Sequence, residues 1–166
     1  MFYQQNKNLL KPIQDYGCFF LSCVNLAEHI NKKKLSYNEV NDLWDFHKKL
    51  EDINFNDDIV NSANIIKNCL FITDDEFNYK VYEIAIKMKG DIKYYKIPSE
   101  WQNRENEYYY IQKVVTAKGN THFRVVNKND EVIIDSYYPI PKIKRVLYTI
   151  VYFVKKTNKG VTNGKI

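Results

Sequence analysis

Two textures divide this chain of 166 residues near its middle. In the first half apolar side chains recur at helical spacing, and in the second β-branched and aromatic residues gather in short runs. Segregated rather than alternating helix and strand signals predict one α+β domain, its helical N-terminal half laid against a C-terminal antiparallel sheet. No repeat, linker or composition break divides the chain further. A single domain over residues 1–154 is expected, with 155–166 as a flexible basic tail carrying Lys155, Lys156, Lys159 and Lys165.

The first helix is expected over Cys18 to Ile30, where Phe20, Cys23, Val24, Ala27 and Ile30 share a face and Phe19, Leu21 and Leu26 widen it. A helix apolar on most sides belongs at the centre of a fold. Pro12 and Gly17 bracket an extended or turning segment before it. Ser36-Tyr37-Asn38-Glu39 has the capping-box pattern and opens a second helix with Val40, Leu43, Trp44, His47 and Leu50 on one side. A short helix is expected from about Asp58 to Asn68. Thr73-Asp74-Asp75-Glu76 repeats the capping signal and predicts a helix to about Met88, ended by Gly90. Strands follow at Ile92–Ile97, Tyr108–Ala117, Thr121–Asn127 and Val132–Tyr137, the last two joined by a turn at Lys128-Asn129-Asp130-Glu131. The apolar run Val146–Val154 reads as a central strand.

Composition removes whole classes. With 45% hydrophobic residues, 5 Gly and 4 Pro, the chain is neither collagen-like nor disordered. No apolar run approaches the roughly 18–20 residues of a membrane span. Met1 to Leu10 lacks the pattern of a secretory signal, and three cysteines without CxxC spacing argue against a disulfide framework or a zinc site. A reduced, cytoplasmic setting is the expectation. His29 and His47 have no carboxylate or cysteine at metal-ligand spacing, so neither a metal nor a cofactor is expected. The net charge of +5 and 14 tyrosines would also suit a basic aromatic nucleic-acid binder, which would lose affinity steeply with salt.

Chemistry concentrates at two places. Gln14-Asp15-Tyr16-Gly17-Cys18 stands directly before the apolar helix. A cysteine opening a helix lies near free amides and the positive end of the dipole, which favour thiolate, the nucleophilic form. Gly17 would let the chain turn tightly and leave room for substrate. Gln14 would offer an amide donor, with the Cys18 backbone amide, to a developing oxyanion. His122 begins one strand and Asp135 ends the next. A two-residue turn between them sets the pair on one face, opposite or diagonal, so that Asp135 orients the imidazole. A three-residue turn would set them on opposite faces.

The order of these pieces resembles papain-like cysteine peptidases, above all the bacteriocin-processing-peptidase-like branch. The matching residues are Gln14 to Cys18, His122-Phe123-Arg124-Val125-Val126, and Val132-Ile133-Ile134-Asp135-Ser136-Tyr137. The resemblance implies a papain-like fold and a thiol-dependent hydrolase cutting a peptide or a peptide-linked cell-wall amide. Cys18 would be the nucleophile, His122 the general base and acid, Asp135 the orienting residue and Gln14 the oxyanion donor. More loosely, the whole chain resembles an uncharacterised family of spirochaete plasmid and prophage proteins, which implies no activity. Two departures stand out: Phe19 replaces the family's glycine after the nucleophile, and Ser136 its proline after the aspartate. Phe19 supports the rival expectation of an inactive papain-like binding module.

Overall fold

In a computed structural model, which describes residues 1–88, 91–94 and 98–159, four helices precede and cover a sheet. The helices are α1 (Lys11–Tyr16), α2 (Cys18–Asn31), α3 (Tyr37–Lys49) and α4 (Ser62–Thr73). The strands are β1 (Phe77–Met88), β2 (Asp91–Tyr94), β3 (Tyr108–Thr116), β4 (Thr121–Val126), β5 (Val132–Asp135) and β6 (Ile143–Asn158). All neighbours pair antiparallel, in the order β2-β1-β6-β3-β4-β5. The molecule is α+β.

The apolar helix is central, as its composition requires. Phe20, Leu21, Cys23, Val24, Leu26 and Ala27 are fully buried, and α2 packs on α4 and β4. Ser36 caps α3 with the reciprocal bonds its sequence announces: Glu39 N donates to Ser36 Oγ at 3.1 Å, and Ser36 N to Glu39 Oε1 at 2.9 Å. The apolar run from Val146 lies inside β6, which is flanked by β1 and β3 at the centre of the sheet. One core joins the layers, with Phe20, Trp44 and Leu70 from the helices meeting Ile111, Val125, Ile150 and Tyr152 from the sheet. A smaller cluster of Ile84, Ala85, Val151 and Phe153 lies apart from it, with Trp101 stacked 4.5 Å from Phe153.

Four expectations need correction. The segment between Pro12 and Gly17 is the short helix α1, begun by Pro12 in its first turn. The helix expected at Asp58–Asn68 runs instead over Ser62–Thr73, capped by the Asn61 side chain on Asn64 N. The helix expected from Thr73 to Met88 is strand β1. Its capping-box residues close α4, where Thr73 Oγ1 folds back on the Cys69 and Leu70 carbonyls and Asp74 Oδ1 accepts from Glu76 N. Phe77, Tyr79 and Val81 alternate with Asn78, Lys80 and Tyr82, a period of two, and the long pairing with β6 selects strand over local helix propensity. Finally, β6 continues past Val154 to Asn158, and Lys156 sits over the Phe77 ring at 3.8 Å with Asp74 at 3.5 Å, so the tail does not begin at Lys155. Gly90, residues 95–97 of the expected strand and residues 160–166 of the expected tail lie outside the described residues. No helix among the described residues is long and apolar enough to cross a membrane.

Candidate active site

Cys18 owes its position to the junction of two helices. Gly17 is buried between α1 and α2, and a Cβ there would lie 2.4 Å from Ile13 O and 2.7 Å from Ile13 Cγ2. Glycine is therefore needed for the close approach of the helices, not to make room for a substrate. It leaves Cys18 half-buried as the first residue of α2, at the end where the helix dipole favours negative charge. Cys23 and Cys69 are fully buried, and burial pushes both thiols up, so they serve as packing sulfur.

The hairpin reaches the right geometry by an unexpected route. Asn127 N bonds Glu131 O, Asp130 N bonds Asn127 O, and Asp130 takes a left-handed φ of 64°, which makes a three-residue turn. That odd turn alone would put His122 and Asp135 on opposite faces. The register shifts, however, between Val125↔Ile134 and Val126↔Val132, where a bulge accommodates Ile133. The extra residue restores the parity. Asp135 pairs with Arg124, on the same face as His122 and diagonal to it.

The result is a buried hydrogen-bonded pair, with His122 Nε2 donating to Asp135 Oδ1 at 2.6 Å. The same oxygen accepts from Tyr137 N at 3.0 Å, and the Tyr137 ring stands edge-on to the imidazole at 6.3 Å. With Nε2 committed to Asp135, Nδ1 is the free ring nitrogen, and Cys18, which lines the same cleft, is near enough to act on the charge of the ring. Burial works against the imidazolium, but the hydrogen bonds and negative charge of Asp135 and Cys18 outweigh it, and His122 is raised to about 9. Arg124 across from Asp135 is buried and bonded twice to Gln112 Oε1, at 3.0 and 2.7 Å, which fixes a cation beside the carboxylate.

Gln14 is placed elsewhere than expected. Its amide Nε2 donates to Leu9 O at 2.7 Å, just before the start of α1. Gln4 lines the cleft instead, anchored by its backbone N to Ser136 O at 2.7 Å and by Nε2 to Gln14 O at 2.9 Å. One Nε2 proton is thereby used and a second remains. Ten residues separate the two glutamines, and no sequence signal marks Gln4. Arg124 left a faint one: a cation two residues after His122 in an otherwise apolar strand. Phe19 lines the cleft with its ring stacked on Phe123 at 4.1 Å, 6° from parallel.

Cys18, His122, Gln4 and Tyr137 open on a cleft of about 1160 Å³ between the helices and the loops at the end of the sheet. A second histidine–aspartate pair, which the sequence did not suggest, ties helices together. His47 is fully buried, bonds Asp52 Oδ2 at 2.8 Å and lies 3.5 Å from Asn68, tying α3 to α4 with no nucleophile beside it. Among the described residues no three His, Cys, Asp or Glu side chains gather as a metal site would require. No family model, curated protein or solved structure matches the chain.

Proposed function

We propose that this chain is a papain-like thiol hydrolase that cuts an amide bond in a peptide or a peptide-linked cell-wall fragment through Cys18, His122 and Asp135. The observation that carries the reading is the 2.6 Å bond from His122 to Asp135 in a cleft that His122 shares with Cys18, the first residue of α2. A nucleophile, a base and an orienting carboxylate at the mouth of a cleft are the parts that acyl transfer requires. Cys18 Sγ attacks the carbonyl carbon, and the electron pair of the C=O bond moves to oxygen. Gln4, with its spare Nε2 proton, stabilises that oxyanion. As the tetrahedral species collapses, the C–N bond breaks and the His122 imidazolium protonates the departing amine, leaving a thioester on Cys18. The neutral imidazole then takes a proton from water, whose oxygen attacks the thioester. The acid is released and Cys18 leaves as the thiolate beside a reprotonated His122. Throughout, Asp135 keeps the ring oriented by accepting from Nε2, and in the neutral imidazole it fixes the proton on that nitrogen.

Phe19, the best support for an inactive binding module, favours that rival less once its ring is found flat against Phe123. The test is incubation with a degenerate peptide mixture and with muropeptides, with products read by mass spectrometry. Cleavage that disappears in Cys18→Ala and after iodoacetamide treatment supports the hydrolase. No cleavage, or cleavage that survives Cys18→Ala, overturns it.

A further inference from the structure

The row of side chains next to the Cys18–His122 pair is aromatic and carries one cation. Phe19 follows Cys18, Phe123 follows His122, and the two rings stack. In the register, Lys113 on β3 is the partner of Phe123 on one side and of Tyr148 on the other. Its Nζ stands 5.4 Å from the Phe123 centroid and 5.7 Å from that of Tyr148. All four side chains line the cleft, and Lys113 is half-buried. An ammonium lying over two ring faces is partly desolvated and held in place, unlike a lysine waving in water.

Charge balance in the cleft is lopsided. On the helical wall Asp15 is tied to Lys11 at 2.6 Å and Asp57 to Lys48 at 2.7 Å, which leaves Asp58 as the one lining carboxylate with no basic partner among the described residues. On the sheet wall Lys113, Lys118 and Lys142 have no acidic partner among the described residues. A positioned cation without an acidic partner, in the cleft that also holds Cys18, selects for negative charge in whatever enters.

We propose that Lys113 is a specificity determinant that bonds the carboxylate of an acidic residue next to the amide under attack, so that this cleft takes acidic peptides. The assignment rests on the hydrolase reading for the amide and on the aromatic–lysine row for the acid. Salt weakens the contact, and arginine keeps it where methionine, of similar length, removes it.

Immobilised Cys18→Ala protein, which cannot turn over, is exposed to a degenerate mixture of short peptides, and the retained fraction is sequenced by mass spectrometry. Peptides containing Asp or Glu are enriched about fivefold over neutral ones, the size expected of a half-buried charge-assisted bond. The enrichment vanishes in Cys18→Ala/Lys113→Met and survives in Cys18→Ala/Lys113→Arg, with unchanged thermal midpoints confirming that each variant is folded. No retained peptide, no acidic enrichment, or enrichment untouched by Lys113→Met overturns the proposal. Acidic peptides that are captured by Cys18→Ala yet left uncut by the unmodified protein overturn the hydrolase reading and leave the acidic preference standing.

Discussion

His122 holds its proton unusually tightly because burial, which opposes the charge, is outweighed by Asp135 and Cys18, and the ring is raised to about 9. Hydrolysis needs the imidazolium to protonate the leaving amine, so kcat/KM is expected to fall as pH rises through about 9. Asp135→Asn removes the group that favours the charged ring, and the alkaline limb should move down toward the ordinary histidine value of 6.5. A pH–rate profile of both proteins checks this, and an unmoved limb counts against the pair. The same shift links to stability. A histidine that binds its proton more tightly when folded adds stability that is complete below about 6.5 and lost as pH rises through about 9, readable in the thermal midpoint. The two glutamines separate by role. Gln4→Ala should lower kcat by roughly 10²–10³, the usual cost of one oxyanion donor. Gln14→Ala, which breaks a bond to Leu9 O, should leave kcat within a few-fold and cost about 1 kcal/mol of stability. Cys18, His122 and Asp135 were legible as candidates because the proposed chemistry needs those residue types, and the structure pairs His122 with Asp135 and sets Cys18 and His122 in one cleft. Gln4 was not, because its approach depends on the N-terminal segment pairing with Ser136, a contact across the whole chain.

Helices announced themselves where the signal was local. The apolar α2 and the Ser36 capping box both lie where pattern and end chemistry put them. Strand β1 did not, because Thr73 to Glu76 carries start-of-helix residues at a helix end and only the distant β6 decides the conformation. Parity in the β4–β5 hairpin shows the same limit. A turn of odd length and a bulge cancel, and two compensating irregularities leave no mark in composition. Gly17 gives this scale its mutational test. With Ile13 O 2.4 Å from where a Cβ would stand, Gly17→Ala must push α1 from α2 and is expected to cost about 1–3 kcal/mol. It should also slow Cys18 chemistry beyond any loss of folded protein. Denaturant titration with active-site labelling measures the two together. A variant of normal stability and reactivity would remove the close-approach argument.

Across the molecule, one core spans both layers, and a buried bond of 2.5 Å joins Ser62 of α4 to Tyr152 of β6. The helical layer and the sheet are therefore expected to unfold in one transition, coincident by far-ultraviolet circular dichroism and by the fluorescence of the buried Trp44. Tyr152→Phe leaves a buried hydroxyl unpaired and should lower stability by about 1–3 kcal/mol without dividing that transition. Two separated transitions would mean that the cleft lies between independent bodies. At this scale the sequence disclosed the α+β class through its segregated textures. The proximity of Cys18 to His122, more than a hundred positions apart, comes only from α2 packing against β4.

The cooperation of that cysteine and histidine is tested most directly by the rate of iodoacetamide alkylation of Cys18, mapped by mass spectrometry, in the unmodified protein and in His122→Ala. Cys23 and Cys69 are buried and report only unfolding. At neutral pH the Cys18 rate should exceed that of a free thiol and drop at least about tenfold when the imidazole is removed. Equal rates in the two folded proteins would contradict a thiolate–imidazolium pair at this site.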